Sequence, residues 1–267
     1  MEIEWLLAYL ALGAFAGFFA GLLGVGGGAV LVPALTVLFR LQNLPPEHVV
    51  HLALGTSMAT ICFTSVSSLR THHAHGAVLW PVVRTIAPGI VVGTLIGSQL
   101  ASMLPSRPLG IFFVLLMSYV VVQMLANFRP KPSRVLPGPF GLAAVGTGIG
   151  GISALAAIGG GALSVPFMIW CNVDVRRAIG TSSAIGFPIA VSGAVGYLVA
   201  GWPVAGLPEG SLGFIQLPAL AGCVATSVLA APLGARLAHR LPVPTLRRIF
   251  ALVIVSLLAK MLHSLFA

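Results

Sequence analysis

Two short stretches constrain the fold of this chain more than any other feature. Gly24-Val25-Gly26-Gly27-Gly28-Ala29-Val30-Leu31-Val32-Pro33 recurs as Ala157-Ile158-Gly159-Gly160-Gly161-Ala162-Leu163-Ser164-Val165-Pro166. Each copy is a glycine triplet, a short apolar run and a proline. Each lies inside a long apolar segment, 5–40 or 138–171, where a helix is the default. Three glycines weaken a helix and let its backbone approach a ligand or a second helix. One straight helix of roughly 35 residues would run ~50 Å, against a bilayer core of ~30 Å. Each segment is therefore expected as two shorter helices, either a broken span or a hairpin that enters and turns back. Pro33 and Pro166 are expected as structural helix breaks.

A bilayer is the relevant solvent because charge is scarce. Of 267 residues, 58% are hydrophobic and 7% charged, where soluble domains carry about 25% charged residues. So few charges cannot cover a water-facing surface. Six further apolar segments, 48–69, 77–104, 108–128, 177–200, 212–238 and 245–266, suit single spans. The net charge of +9, from 14 Lys+Arg against 5 Asp+Glu, falls in the gaps between them. It is read as a topology signal rather than a nucleic-acid surface. The start, with Glu2 and Glu4 and no early Lys or Arg, does not suit a cleaved secretory signal. Cys62, Cys171 and Cys223 are widely spaced in apolar context, so neither a disulfide framework nor a zinc site is expected.

The chain divides into two similar parts. A basic, proline-rich linker, 129–137, separates repeat one, 1–128, from repeat two, 138–267. Leu54-Gly55-Thr56-Ser57 recurs as Ile179-Gly180-Thr181-Ser182. Gly97, Leu100, Ala101, Leu104 and Pro105 recur as Gly234, Leu237, Ala238, Leu241 and Pro242. Three matches in the same order indicate an internal duplication, a hallmark of secondary transporters. Arg236, Arg240, Arg247 and Arg248 place the gap 236–248 in the cytoplasm, with Glu209 outside. Arg176, Arg177 and the linker then share the cytoplasmic side only if 138–171 goes in and comes back. Each half would have an odd number of segments, and the halves would be inverted. Arg40 and Arg107 fall on the outer side against the rule. The fold expected is an all-α integral membrane protein with two homologous, inverted repeats of four to five helical segments.

Several residues could carry chemistry. At a helix break, the backbone amides of Gly26, Gly27, Gly28, Gly159, Gly160 and Gly161 would face a cavity at the N-terminus of the next half-helix, where an anion is favoured. The alternative is close helix packing. Gly55, Thr56, Ser57, Gly180, Thr181 and Ser182 either offer hydroxyls to the same substrate or bond back to their own helices. Arg84 is placed at depth to meet an anion or snorkels to the headgroups. Arg177 reaches the same region or pairs with Asp174, which suits a helix N-cap. All five acidic residues lie near segment ends, which disfavours carboxylate-based proton coupling. The run His72, His73, His75 is read as a basic loop rather than a metal site. No P-loop occurs, and no catalytic constellation supports an enzyme.

The paired glycine-triplet and Gly-Thr-Ser elements resemble the sulfite exporter TauE/SafE family of membrane transporters over nearly the whole chain. The resemblance implies export of sulfite, organosulfonates or similar anions across the bacterial cytoplasmic membrane. It places the family motifs on Gly26 to Gly28 with Pro33, Gly55 to Ser57, Gly159 to Gly161 with Pro166, and Gly180 to Ser182. The expectation is a multi-pass secondary transporter without cofactor or metal, working by alternating access between its halves. An anion channel is the alternative, and a membrane-embedded enzyme a weaker one. The expected partners are a small anion and the lipid bilayer. Nucleic acid is not expected, and a homodimer is left open.

Overall fold

The computed structural model describes residues 3–23, 27–125, 134–238 and 243–266. Ten α-helices follow in order: α1 (Ile3–Leu23), α2 (Gly28–Leu41), α3 (Val49–Ala74), α4 (Trp80–Met103), α5 (Ser106–Leu125), α6 (Pro139–Ala156), α7 (Gly161–Trp170), α8 (Val175–Gly201), α9 (Leu217–Ala238) and α10 (Val243–Phe266). A two-stranded hairpin, β1 (Ser211–Leu212) and β2 (Ile215–Gln216), leads into α9. Among the described residues, seven helices are long and apolar enough to cross a membrane. The fold is thus that of an all-α, multi-pass membrane protein.

Both long segments are helical hairpins. Gly27 (φ 75°) and Gly160 (φ 78°) are the N-caps of α2 and α7, in a left-handed conformation that a Cβ would disfavour. After the first turn the chain runs back along α1. A Cβ on Gly27 would lie 3.2 Å from the carbonyl of Ala16, and Gln42, at the end of α2, donates to the Tyr9 hydroxyl at 2.6 Å. In the second hairpin the Arg134 amide, ahead of α6, donates to the Trp170 carbonyl at the end of α7, at 3.3 Å. At about 1.5 Å per residue, neither α2 nor α7 spans the bilayer core.

Pro33 and Pro166 do not break these helices. Each sits inside α2 or α7. A proline removes one N–H and frees the carbonyl four residues earlier, here Ala29 or Ala162. The helix continues because glycine has already made the reversal upstream. The histidine run needs a similar correction: His72 and His73 belong to the last turn of α3 rather than to a loop, and His75 is the C-cap.

Small residues set the helix packing. Gly13, Gly17 and Gly21 of α1 abut Cys223, Ser227 and Ala231 of α9. Gly89, Gly93 and Gly97 of α4 abut Ala143, Thr147 and Gly151 of α6. Numbers rise together in both pairs, so each runs parallel, with backbones close enough to exclude a side chain. The central pair, α3 and α8, is antiparallel: Gly55 lies by Tyr197, Met58 by Gly193, and Ser68 by Ser183.

The ends of the bundle differ in charge. These contacts bring Arg70, Arg84, Arg134, Arg176, Arg177 and Arg236 to one end, with Asp174 capping α8 there through bonds from the amides of Arg176 (3.0 Å) and Arg177 (3.4 Å). Glu4, Glu47, Glu209, Arg40, Arg107 and Lys260 lie toward the opposite end, where the signs balance.

Candidate functional site

The two glycine breaks meet at the centre. A Cβ on Gly28 would strike the carbonyl of Ala157, the left-handed C-cap of α6. The start of α2 therefore rests on the turn that leads into α7. The first intrahelical bonds of α7 run from Leu163 (3.1 Å) and Ser164 (2.7 Å) to the Gly160 carbonyl. The amides of Gly161 and Ala162 precede that ladder and give the half-helix its positive end.

Beside this turn lies a small, narrow cavity of about 10 Å³, room for about one water, lined by Ala20, Thr64, Ser65, Ser68, Gly159, Ser183 and Gly186. Four hydroxyls face it and no charged side chain does. Thr64 donates to the Thr60 carbonyl (2.9 Å), Ser65 to that of Cys62 (3.1 Å), and Ser68 to Ser183 Oγ (3.4 Å). A hydroxyl rotates, so each can turn its proton to an incoming oxyanion. The lining residues of α3 and α8 lie in the halves of those helices nearer Arg70, Arg176 and Arg177, so the cavity belongs to the basic end of the bundle.

Aligning the halves on their motifs yields a second set of positions. With Gly55 level with Gly180, Ser183 aligns with Met58, Gly186 with Ile61, and Thr64, Ser65 and Ser68 with Ile189, Ala190 and Gly193. With Gly27 level with Gly160, Ala20 aligns with Ser153. The described members of the aligned set are packed against their neighbours, while Gly26, which aligns with Gly159, lies outside the described residues. Met58 presses on Gly193, where a Cβ would come within 2.9 Å of its Sδ, and Ile61 and Ile189 lie against Gly28 and Gly160. Ser153 Oγ is fully buried there without a hydrogen-bond partner.

The Gly-Thr-Ser residues take part in a different structure. The Thr56 hydroxyl accepts from the Gln216 amide, and the Thr181 hydroxyl from the Leu79 amide, each at 2.9 Å. Gly55 makes room for the Phe214 carbonyl and Gly180 for that of Ala77. Each third helix of one half thus clasps the lead-in to the fourth helix of the other. Neither bonding back within the helix nor opening to a substrate describes the two threonine hydroxyls. Ser57 Oγ is buried without a partner, and Ser182 is buried; neither lines the cavity. Arg84 and Arg177 are exposed and lie outside the cavity lining. Gly26 lies outside the described residues, as does the linker up to residue 133. Of the residues singled out by motif, only Gly159 lines the cavity. Its hydroxyls were legible only as Ser/Thr positions in one half that are apolar in the other. No group of three or more metal-binding side chains occurs among the described residues.

An apolar bundle of helices long enough to span a bilayer, with helical hairpins beside a small polar cavity, is the architecture of a multi-pass membrane protein, and the chain's family and relatives identify it as a transporter. Residues 9–261 match the sulfite exporter TauE/SafE family, and the chain belongs to that family. It is 36% identical over 252 residues to a probable membrane transporter protein of Haemophilus influenzae, covering 94% of this chain and 96% of that protein. It is 26% identical to the probable membrane transporter protein YdhB of Bacillus subtilis, covering 70% and 76%. No solved structure matches the chain significantly.

Proposed function

We propose that the chain exports a small anion, with sulfite, sulfonates and other organosulfur anions as the substrate class, by alternating access between two inverted repeats, 1–128 and 138–267. The carrying observation is the hydroxyl-lined cavity beside the second glycine break, set against closed packing at the aligned positions. One set of groups is open and its counterpart shut, as one state of a two-state transporter requires. The antiparallel α3–α8 pair supports inversion, and the exchanged partners, α1 with α9 and α6 with α4, support a pseudo-twofold relation. The anion would meet the hydroxyls of Thr64, Ser65, Ser68 and Ser183 and the positive end of α7. With the arginine-rich end in the cytoplasm of a bacterial cell, this state faces inward and suits export. The linker, 129–137, is then cytoplasmic.

Flux into proteoliposomes tests the reading. Sulfite, thiosulfate, methanesulfonate, isethionate, sulfate and acetate would be compared with cationic and neutral solutes. Saturable flux with counterflow is expected for a sulfur oxyanion. Flux of cations or neutral solutes alone overturns the reading, and ohmic current without saturation would make the protein a channel.

A further inference from the structure

The cavity face of α3 ends in a histidine. Ser65, Ser68 and His72 follow at helical spacing, so His72 lies one turn beyond Ser68 toward the basic end. It is 1% exposed. Its Nε2 lies 3.2 Å from the carbonyl of Gly21, the neighbour of cavity-lining Ala20. At that distance from a carbonyl the nitrogen donates, and the bond ties the end of α1 to α3 at the edge of the cavity.

The aligned residue of the second half is Tyr197, which is fully buried. Its hydroxyl donates to the carbonyl of Ala154 at 2.9 Å, and Ala154 aligns with Gly21. Both halves therefore build one bond from the same two positions. In the first half the donor is an imidazole, which titrates near neutral pH; in the second it is a phenol, which ordinarily does not.

The surroundings give this difference a consequence. Among the described residues, the other ionisable groups on elements packed here are Arg70, His73 and His75 at the end of α3, Asp174, Arg176 and Arg177 at the start of α8, and Arg236 at the end of α9, all exposed; α1 brings none to this end. The cavity offers an anion only neutral donors. An uncompensated charge in a low-dielectric site is costly. Protonated His72 would supply the missing charge one helical turn from Ser68. His51, the other buried histidine among the described residues, lies at the opposite end, within 3.2 Å of the Ala101 and Leu104 carbonyls and of Ser106 Oγ.

We propose that His72 is the proton-binding site of the transport cycle, taking up a proton as the anion enters the cavity and releasing it as the cavity empties. This rests on the anion-transport reading above. Coupling is reciprocal: anion binding favours proton uptake, and anion affinity falls as pH rises through the histidine's titration, by up to about tenfold per pH unit.

Two measurements decide it. In protein labelled with ¹⁵N-histidine in micelles, His72→Gln identifies the resonance, keeping an amide donor for Gly21 without a titrating group. The His72 signal is expected to shift with pH, and further toward the protonated form when isethionate is added, and a signal that neither pH nor isethionate moves overturns the proposal. Isethionate, which does not itself titrate there, is then loaded with a pH indicator inside the vesicles. Co-directional proton movement is expected in the native protein and should vanish in His72→Gln and in His72→Tyr, which copies Tyr197. Proton movement that persists in a folded His72→Gln protein overturns the proposal. Failure of the native protein to move isethionate or any other sulfur anion instead counts against the substrate reading, and the NMR titration still decides whether His72 binds a proton.

Discussion

Where Ser68 of α3 meets Ser183 of α8, the aligned contact on the other side of the bundle centre is Gly193 against Met58. Where Gly186 and Gly159 both line the cavity, with a Cβ on Gly186 coming to 3.0 Å from the Gly159 carbonyl oxygen, the residue aligned with Gly186, Ile61, presses on Gly28. The same pair of helices, α3 and α8, makes both contacts, and the side chains at the aligned positions differ. Two hydroxyl-bearing residues and a glycine make a cavity; methionine, glycine and isoleucine fill the equivalent volume. The asymmetry in side chains is therefore written into the sequence.

Exchanging the two sets of side chains is the strongest way to break that comparison. Ser183→Met with Gly186→Ile should fill the cavity and abolish anion flux. Overpacking costs typically about 1–3 kcal/mol per site, so the melting temperature in detergent is measured alongside flux, and Ser183→Val serves as the milder filling variant. The reverse exchange, Met58→Ser with Ile61→Gly, should hollow the packed side. Each truncation should cost about 2–5 kcal/mol, read as a lower melting temperature in detergent. It should also expose a cysteine placed at position 190 to a membrane-impermeant thiol reagent in a background lacking Cys62, Cys171 and Cys223. Undiminished flux in the filled variant would show that the anion takes another route.

A smaller effect sharpens the comparison, because the two clasps should behave alike where the two cavities do not. Thr56→Val and Thr181→Val each leave one buried or half-buried amide, Gln216 or Leu79, without its acceptor. The loss should be about 1–3 kcal/mol in either variant, and the two thermal shifts should be close. A large difference would show that the halves are not mechanically equivalent at their junctions.

How much of this was legible in the sequence depends on scale. Apolar segment lengths and scarce charge defined a helical membrane protein, because a bilayer imposes both. The positions of the chain reversals were legible because Gly27 and Gly160 need a backbone conformation that other residues avoid. Whether each reversal was a kink or a hairpin was not, since it depends on contacts as distant in sequence as Gln42 with Tyr9. Pro33 and Pro166 misled because a proline six residues into a helix removes one bond without stopping the helix. Thr56 and Thr181 were visible as repeated hydroxyls, but their amide partners lie in the other half of the chain. Arg84 drew attention as a charge inside an apolar segment; on the first turns of α4 it faces outward. The cavity's hydroxyls lie at Thr64, Ser65, Ser68 and Ser183, outside every repeated motif, because repetition marks what the halves share and these side chains mark where they differ.

The smallest expected effect concerns the one polar group left on the packed side. Ser153 aligns with Ala20 of the cavity wall, is fully buried, and has no hydrogen-bond partner. A buried hydroxyl without a partner is destabilising by about 1–3 kcal/mol, so Ser153→Ala should raise the melting temperature slightly. If the packed side opens during transport, Ser153 becomes the hydroxyl that lines it, and the same substitution should slow flux while stabilising the resting state. Ala20→Ser supplies the control, adding a hydroxyl where the cavity is already open and polar, and should leave stability nearly unchanged. A Ser153→Ala protein that is both more stable and fully active would confine that hydroxyl to one state and remove it from the transport path.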